Sequence, residues 1–402
     1  MGKKKRKAGT GARGGGAGRR SPDAGLGLFD RFRRELKKYQ DGVHLLGEPA
    51  GPMGAAVVAR LPAEFRAFVQ SWNGAELFNE AYRVCGVGPD AVGGDVLQAA
   101  APGRGGGGGA AGGGSGSGSA SGGAGGEAGG DGDDDGAVVF PAGALEIAAA
   151  AEGARFALAA DGRVLRWDPD DEAVVPEASG LERWLGALMV REGLLYDAEG
   201  EFIEGAFEGD AVAPELAIAG ERKALVIDPE AMGPRLRLAR ALREQGKRDD
   251  MLIELERLLE LERARVAAGG SAASGPGLPP WALHELARLR WALADRDDAL
   301  ELADEITAAA GPASAGEAAV LAAQAATWAV ARDKPALAKR LGERARALSP
   351  DVVTRLRDAG AYHVESGDIA AAKELLEAAK LLAPRDLTVL ELLRRAKAGK
   401  AS

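Results

Sequence analysis

The sequence predicts an α+β domain followed by an all-α solenoid. Three observations carry that expectation: short β-patterned segments framed by amphipathic helices over residues 23–192, a 34-residue period in the second half, and two segments with too little to bury to join either core. A chain of 402 residues is long enough for two such cores.

The segments without a core frame the rest. Residues 1–22 read as a disordered basic tail. Residues 1–20 hold eight Lys or Arg and no acid, which leaves 43 basic and 60 acidic residues, a charge of −17, on the rest of a chain whose formal charge is −9. Five consecutive basic residues, Lys3 to Lys7, attract phosphates and so admit nucleic acid as a partner of the tail, but no aromatic residue interleaves to stack on bases. A merely solvated tail is the competing reading. Gly-rich sequence follows where the apolar region of a signal peptide would stand, and no run approaches the roughly 18 apolar residues of a membrane span. Neither export nor membrane insertion is expected. Cys85 is the only cysteine, so no intrachain disulfide forms and a cytoplasmic location is expected.

Residues 103–136 contain 19 Gly in 34 positions; with so little to bury they cannot offset the entropy of ordering and read as a flexible loop. Such a coil reaches about 30 Å end to end, short enough to close back on the domain it interrupts. Its ending DGDDDG sets Asp131, Asp133, Asp135 and Gly136 at the spacing of half a calcium loop. Ala142 stands where a bidentate Glu is required, so no metal is expected there.

In the first domain, Ser21-Pro22-Asp23 opens a helix whose Phe29, Phe32, Leu36 and Tyr39 share a face. Pro62 suits a first helical turn, and Leu61, Phe65, Phe68, Val69 and Trp72 stack on one side of the helix that follows. Asn73 and Gly74 tolerate a left-handed backbone and cap it, after which Ala75 to Phe78 leave as an extended segment. Strands are expected at 144–151, 154–168 and 172–176, with turns at Asp161-Gly162 and at Asp168-Pro169-Asp170-Asp171. A helix over 179–193 closes the unit, with Leu181, Trp184, Leu185 and Leu188 inward.

The stretch LPAEFRAFVQSWNGAELF (61–78), the strands RFALAADGRVLRWD (155–168) and the helix around Trp184 resemble the SUKH family, which includes yeast cell-wall-synthesis regulators and bacterial immunity proteins. The resemblance covers residues 23–190 and implies protein binding without catalysis. The chain departs from the family in the glycine insertion and in having Gly153-Ala154 where a Gly-Asp pair is frequent. Within the motif, Trp72, Asn73 and Gly74 serve as core and cap rather than as ligand contacts.

Residues 193–402 repeat. Aligning 353–384 on 320–350 sets Pro384 over Pro350, Ala379 over Ala345 and Ala372 over Ala338. Gly360, Ala372, Ala379 and Pro384 resemble the Gly, Ala, Ala and Pro of tetratricopeptide repeats, small residues where paired helices touch and a proline that ends the second helix. Residues 229–262 form a degenerate copy with Met251 and Leu258 in place of the alanines, 281–306 fit around Ala287 and Ala299, and 213–229 look like half a repeat. Residues 267–280 are a loop insertion. The expectation is four helix pairs, a partial pair before them and a capping helix after.

In a stack of this kind the first helix of each pair lines a concave groove. Trp281, His284, Arg288 and Trp291 fall on one wedge of such a helix, opposite Leu286 and Leu293; Arg240, Arg243 and Arg357 take similar positions in other repeats. Guanidinium groups beside indoles suit a peptide or partner protein bearing carboxylates. The competing reading has both indoles packed against neighbouring helices and the arginines solvated.

Catalysis has little support. His44, His284 and His363 are scattered, HELAR at 284 has Arg288 where a second zinc-binding His would stand, and no Gly-Lys pair is followed by Ser or Thr. Cys85, without a basic neighbour, reads as a small buried residue. The expected function is a non-enzymatic adaptor without cofactor. The alternative is an immunity protein that occludes a secreted toxin such as a nuclease, the acidic body speeding association.

Overall fold

The computed structural model describes residues 27–99, 140–169, 173–209, 211–268 and 278–399. The basic tail, the whole glycine-rich loop with its aspartates, Asp170 to Glu172 of the second expected turn and Ser21 to Asp23 lie outside them. So do nine residues of the insertion before Trp281.

The chain begins with α1 (Asp30–Leu36), β1 (Leu45–Leu46), α2 (Ala55–Arg60), α3 (Ala63–Ser71), β2 (Ala75–Leu77), β3 (Tyr82–Val84) and α4 (Val96–Ala99). It resumes with β4 (Leu145–Ala150), β5 (Arg155–Leu158), β6 (Val164–Asp168), β7 (Ala173–Ala178) and α5 (Leu181–Glu192). The seven strands pair in chain order, all antiparallel, with register shifts between Glu146 and Ala148 and between Val164 and Leu165. Helices α1, α3 and α5 contribute Phe32, Phe65, Phe68, Trp184 and Leu185 to a core shared with Leu77, Phe156 and Leu158 of the sheet.

The expected elements are present, with three corrections. Helix α1 starts at Asp30; Phe29 before it has φ of 64° and is the last residue outside the helix. The carboxylate of Glu182 accepts the Phe29 N–H at 3.1 Å, which holds this left-handed entry. Strands β1 and β3 are additional, and two or three residues are too few to display an alternating pattern. Finally, Gly74 alone takes the left-handed turn after α3, at φ of 93°. Asn73 does a different job: its amide donates to the Val87 carbonyl at 3.1 Å and its side-chain oxygen accepts the Val87 N–H at 2.7 Å. Asn73→Ala should therefore cost about 1–2 kcal/mol in urea unfolding by orphaning both backbone groups. The expected hairpin at Asp161-Gly162 is observed, with Gly162 at φ of 87° and the Ala159 N–H bonded to the Arg163 carbonyl at 2.8 Å.

After α5 a short hairpin, β8 (Phe207–Glu208) and β9 (Ala211–Val212), leads into α6 (Pro214–Ile227). Four helix pairs follow: α7 (Met232–Glu244) with α8 (Arg248–Ala267), α9 (Pro280–Leu293) with α10 (Arg296–Ala309), α11 (Ala315–Ala331) with α12 (Pro335–Leu348), and α13 (Val352–Ser366) with α14 (Ile369–Leu382). Helix α15 (Leu387–Ala398) caps the last pair. This is the expected mostly helical solenoid. Met251, Leu258, Ala287, Ala299, Ala338, Ala345, Ala372 and Ala379 are all buried. At Gly360 a methyl group would sit 2.7 Å from Leu376, so the glycine lets α13 and α14 approach. Leu293 departs from expectation: it ends α9, beyond the packed seam, and is 45% exposed.

The last pair is also seated unexpectedly. Helix α14, more than α13, packs on α11, and α12 barely meets α13. Ala319, Ala322 and Ala323 of α11 join Ala378, Ala379 and Leu382 of α14 in one cluster, and the Arg346 guanidinium of α12 donates to the Leu382 carbonyl at 2.5 Å. Small side chains on both helices permit this close approach.

Sheet and solenoid meet through a buried ionic network. Arg237 of α7 donates to both oxygens of Glu177 on β7, at 2.9 and 2.8 Å, and to both of Glu221 on α6, at 2.7 and 3.2 Å. Arg191 of α5 donates to the Glu192 carboxylate at 2.8 Å and to the Tyr82 hydroxyl at 2.9 Å, and that hydroxyl donates to Glu192 at 3.0 Å. Burial alone would push the Glu177 carboxyl up, but Arg237, with Arg166 and Arg191 behind it, brings it down to about 2.

Candidate partner-binding groove

The candidate site is built on α7 and α9. Arg240 and Arg243, three residues apart, leave α7 from the same side. Their guanidinium carbons lie 5.0 and 5.4 Å from the centre of the Trp281 ring at the start of α9. Trp281 also leans on the solenoid core, half-buried. Arg240 has a second neighbour, the Asp168 carboxylate at the end of β6, 3.9 Å away. The sheet thus contributes a carboxylate to the candidate site.

About one, two and three turns further along α9 come His284, Arg288 and Trp291. Burial, and then the charge of Arg288, lowers His284 to about 4, so its imidazole is neutral near pH 7. Its Nε2 and the Arg288 Nε are buried without a hydrogen-bond partner among the described residues. Arg288 contacts Glu285 at 3.3 Å and, across the stack, Glu374 of α14 at 3.5 Å. Trp291 stacks on Trp328 of α11 with ring centres 5.3 Å apart and planes 10° from parallel, and Arg296 lies 5.1 Å from the Trp291 ring.

Five predicted residues, Arg240, Arg243, Trp281, His284 and Arg288, thus belong to one stretch of α7 and α9, continued by Trp291. Arg357 on α13 is paired with its neighbour Asp358 at 2.8 Å, on the helix that α14 displaces from α11. Sequence reasoning missed Asp168, Glu374, Trp328 and Arg296. Arg296 is close enough in sequence to have been found, five residues after Trp291. Asp168 and Glu374 carry no local signal, since each comes to its arginine through the tertiary fold.

The arrangement can hold a carboxylate at Arg243, which among the described residues has only the Trp281 ring beside it. It offers no nucleophile paired with a base. Cys85 is pushed up to about 12 by burial and then by Glu146 and Asp95, and the described residues contain no group of three or more side chains suited to a metal. No helix among them is long and apolar enough to cross a membrane.

No protein-family model matches the chain, and no curated protein matches it. Solved structures that it resembles include the crystal structure of MamA, at 15% identity and a TM-score of 0.28, covering 46% of this chain and 88% of that one. Another is that of YrrB, described as a TPR protein with an unusual peptide-binding site, at 16% identity and 0.25, covering 45% and 92%. A third is the APC/C hetero-tetramer Cut9-Hcn1, at 14% and 0.22, covering 46% and 39%. Likeness at these values adds nothing to what the helix pairs themselves display.

Proposed function

We propose that the chain is a non-enzymatic, cytoplasmic protein-binding adaptor in which a SUKH-like module (23–192) is joined to a tetratricopeptide-like solenoid (193–402). Its groove on α7 and α9 takes a peptide or protein segment that carries a carboxylate. The observation that supports this best is the pair of guanidiniums, Arg240 and Arg243, over one indole, Trp281. A carboxylate accepts from an arginine fork bidentately, and an aromatic face beneath keeps that fork flat and poorly hydrated. The neutral His284 and the partly exposed Trp291 ring, backed by the buried Trp328, would receive the uncharged part of the same segment.

The test is affinity capture with the full-length chain, followed by mass spectrometry and by titration of the captured partner. Arg243→Ala and Trp281→Ala should each weaken binding about tenfold, roughly 1.4 kcal/mol. Arg357→Ala should change nothing. Partner binding indifferent to both groove substitutions would remove the reading.

A further inference from the structure

A second surface is formed where the segment after α5 meets the sheet domain, with no wall residue from α7 or α9. The segment 194–213 contains six acidic residues and no Lys or Arg. It folds back on the sheet domain: the Asn79 side chain donates to the Gly200 carbonyl at 3.0 Å, and Tyr196 stacks on Phe78 with ring centres 4.9 Å apart. From Tyr196 the aromatic contacts continue outward to Phe202 at 4.8 Å and from Phe202 to Phe207 at 4.6 Å. The outer members are in water: Phe202 is 58% exposed, Ile203 42% and Phe207 37%.

Beside this ridge runs an open groove of about 640 Å³, with Phe78, Ala81, Ala149, Ala151, Tyr196 and Phe202 among its walls. Its rim turns on Phe78, Asn79 and Glu80, three consecutive residues at φ of 55°, 53° and 70°. Three non-glycine residues held left-handed in succession represent stored strain, which the Phe78 stack and the Asn79 bond retain. The charged residues lining the groove are Glu80, Arg83 and Glu201, and Glu204 and Glu208 follow in the same exposed segment. Arg83 is already matched by Glu80 at 2.5 Å and Glu76 at 3.9 Å. The exposed carboxylates of Glu201, Glu204 and Glu208 have no Lys or Arg partner among the described residues.

An aromatic ridge in water bordered by acids with no cationic partner among the described residues marks an interaction surface and defines its complement. We propose that this groove docks a cationic amphipathic segment of a protein partner. Its apolar side chains enter between Phe78, Tyr196 and Phe202, and its Lys or Arg side chains face Glu201, Glu204 and Glu208. The chain's own basic tail does not qualify, because residues 1–20 contain no apolar side chain larger than Ala apart from Met1.

The experiment uses the full-length chain and a labelled synthetic peptide with Leu and Trp on one helical face and Lys on the other, followed by fluorescence anisotropy. An oligolysine and the same peptide with Glu for Lys serve as comparators. The amphipathic Lys peptide should bind at least about tenfold more tightly than either. Phe202→Ser should cost about tenfold, and the triple Glu201→Gln, Glu204→Gln, Glu208→Gln variant should cost a similar factor and flatten the salt dependence. Arg243→Ala should leave this binding unchanged, which separates the surface from the groove on α7 and α9. Equal binding of oligolysine, or variants that bind like the unaltered chain, would overturn the proposal. So would a dimer that dissolves on Phe202→Ser, since the ridge would then be covered by a second copy.

Discussion

Replacing Arg237 by Met should lower the unfolding free energy at pH 7 by about 3–5 kcal/mol, the usual cost of breaking a buried pair from one side. Two carboxylates depend on this one guanidinium: Glu177 and Glu221 are each buried, and Arg237 gives both of them two hydrogen bonds. Methionine fills the space and leaves two anions facing each other, with Arg191 3.8 Å from each and Arg166 acting on Glu177 from further off. The pH dependence gives the expectation a second arm. Glu177 sits at about 2 in the folded chain against an ordinary 4.5, so its contribution is complete above pH 5 and is lost as pH falls toward 2. That contribution amounts to about 3 kcal/mol. The unaltered chain should therefore lose stability on acidification faster than the variant, and the gap between them should narrow. Urea unfolding at pH 7 and pH 3 measures both; a variant as stable as the parent at pH 7, or a gap that widens in acid, would contradict the network's role.

Gly74→Ala should cost about 3 kcal/mol, and Gly94→Ala about 1 kcal/mol. Both glycines are left-handed, at φ of 93° and 101°, so both substitutions pay backbone strain. They differ in surroundings. A methyl group at Gly74 would run into the Val92 carbonyl, whereas at Gly94 it meets nothing within 4 Å. The difference between the two therefore isolates the collision from the strain. Chemical unfolding of the two variants under one condition suffices, and equal losses would mean that the loop carrying Val92 yields without resistance.

Much of the fold could be read in advance because its signals are local. The inner face of α5, with Leu181, Trp184, Leu185 and Leu188 buried, follows from spacing alone. So does the Asp161-Gly162 hairpin, and so do the alanines at the contacts of the helix pairs. What escaped depends on distance along the chain or on absence of pattern. Tyr82 to Val84 is too short to alternate, yet it lies inside the sheet between β2 and β4. Glu177 reads as one acid among many until its partner, 60 residues later, is folded onto it. The groove was legible in part for the same reason: Trp281, His284, Arg288 and Trp291 share a helix, while Asp168 and Glu374 reach it from other elements.

The seat of α14 on α11 has a consequence for the groove. Alanine meeting alanine buries little apolar area, so the contact of Ala319, Ala322 and Ala323 with Ala378 and Ala379 contributes less per residue than the leucine-rich seams nearer the sheet. Small side chains therefore dominate the contact between α11 and α14. Glu374 on α14 shares Arg288 with Glu285, which lies on the arginine's own helix. The charge environment of one arginine on α9 is thereby tied to a helix 86 residues further along the chain.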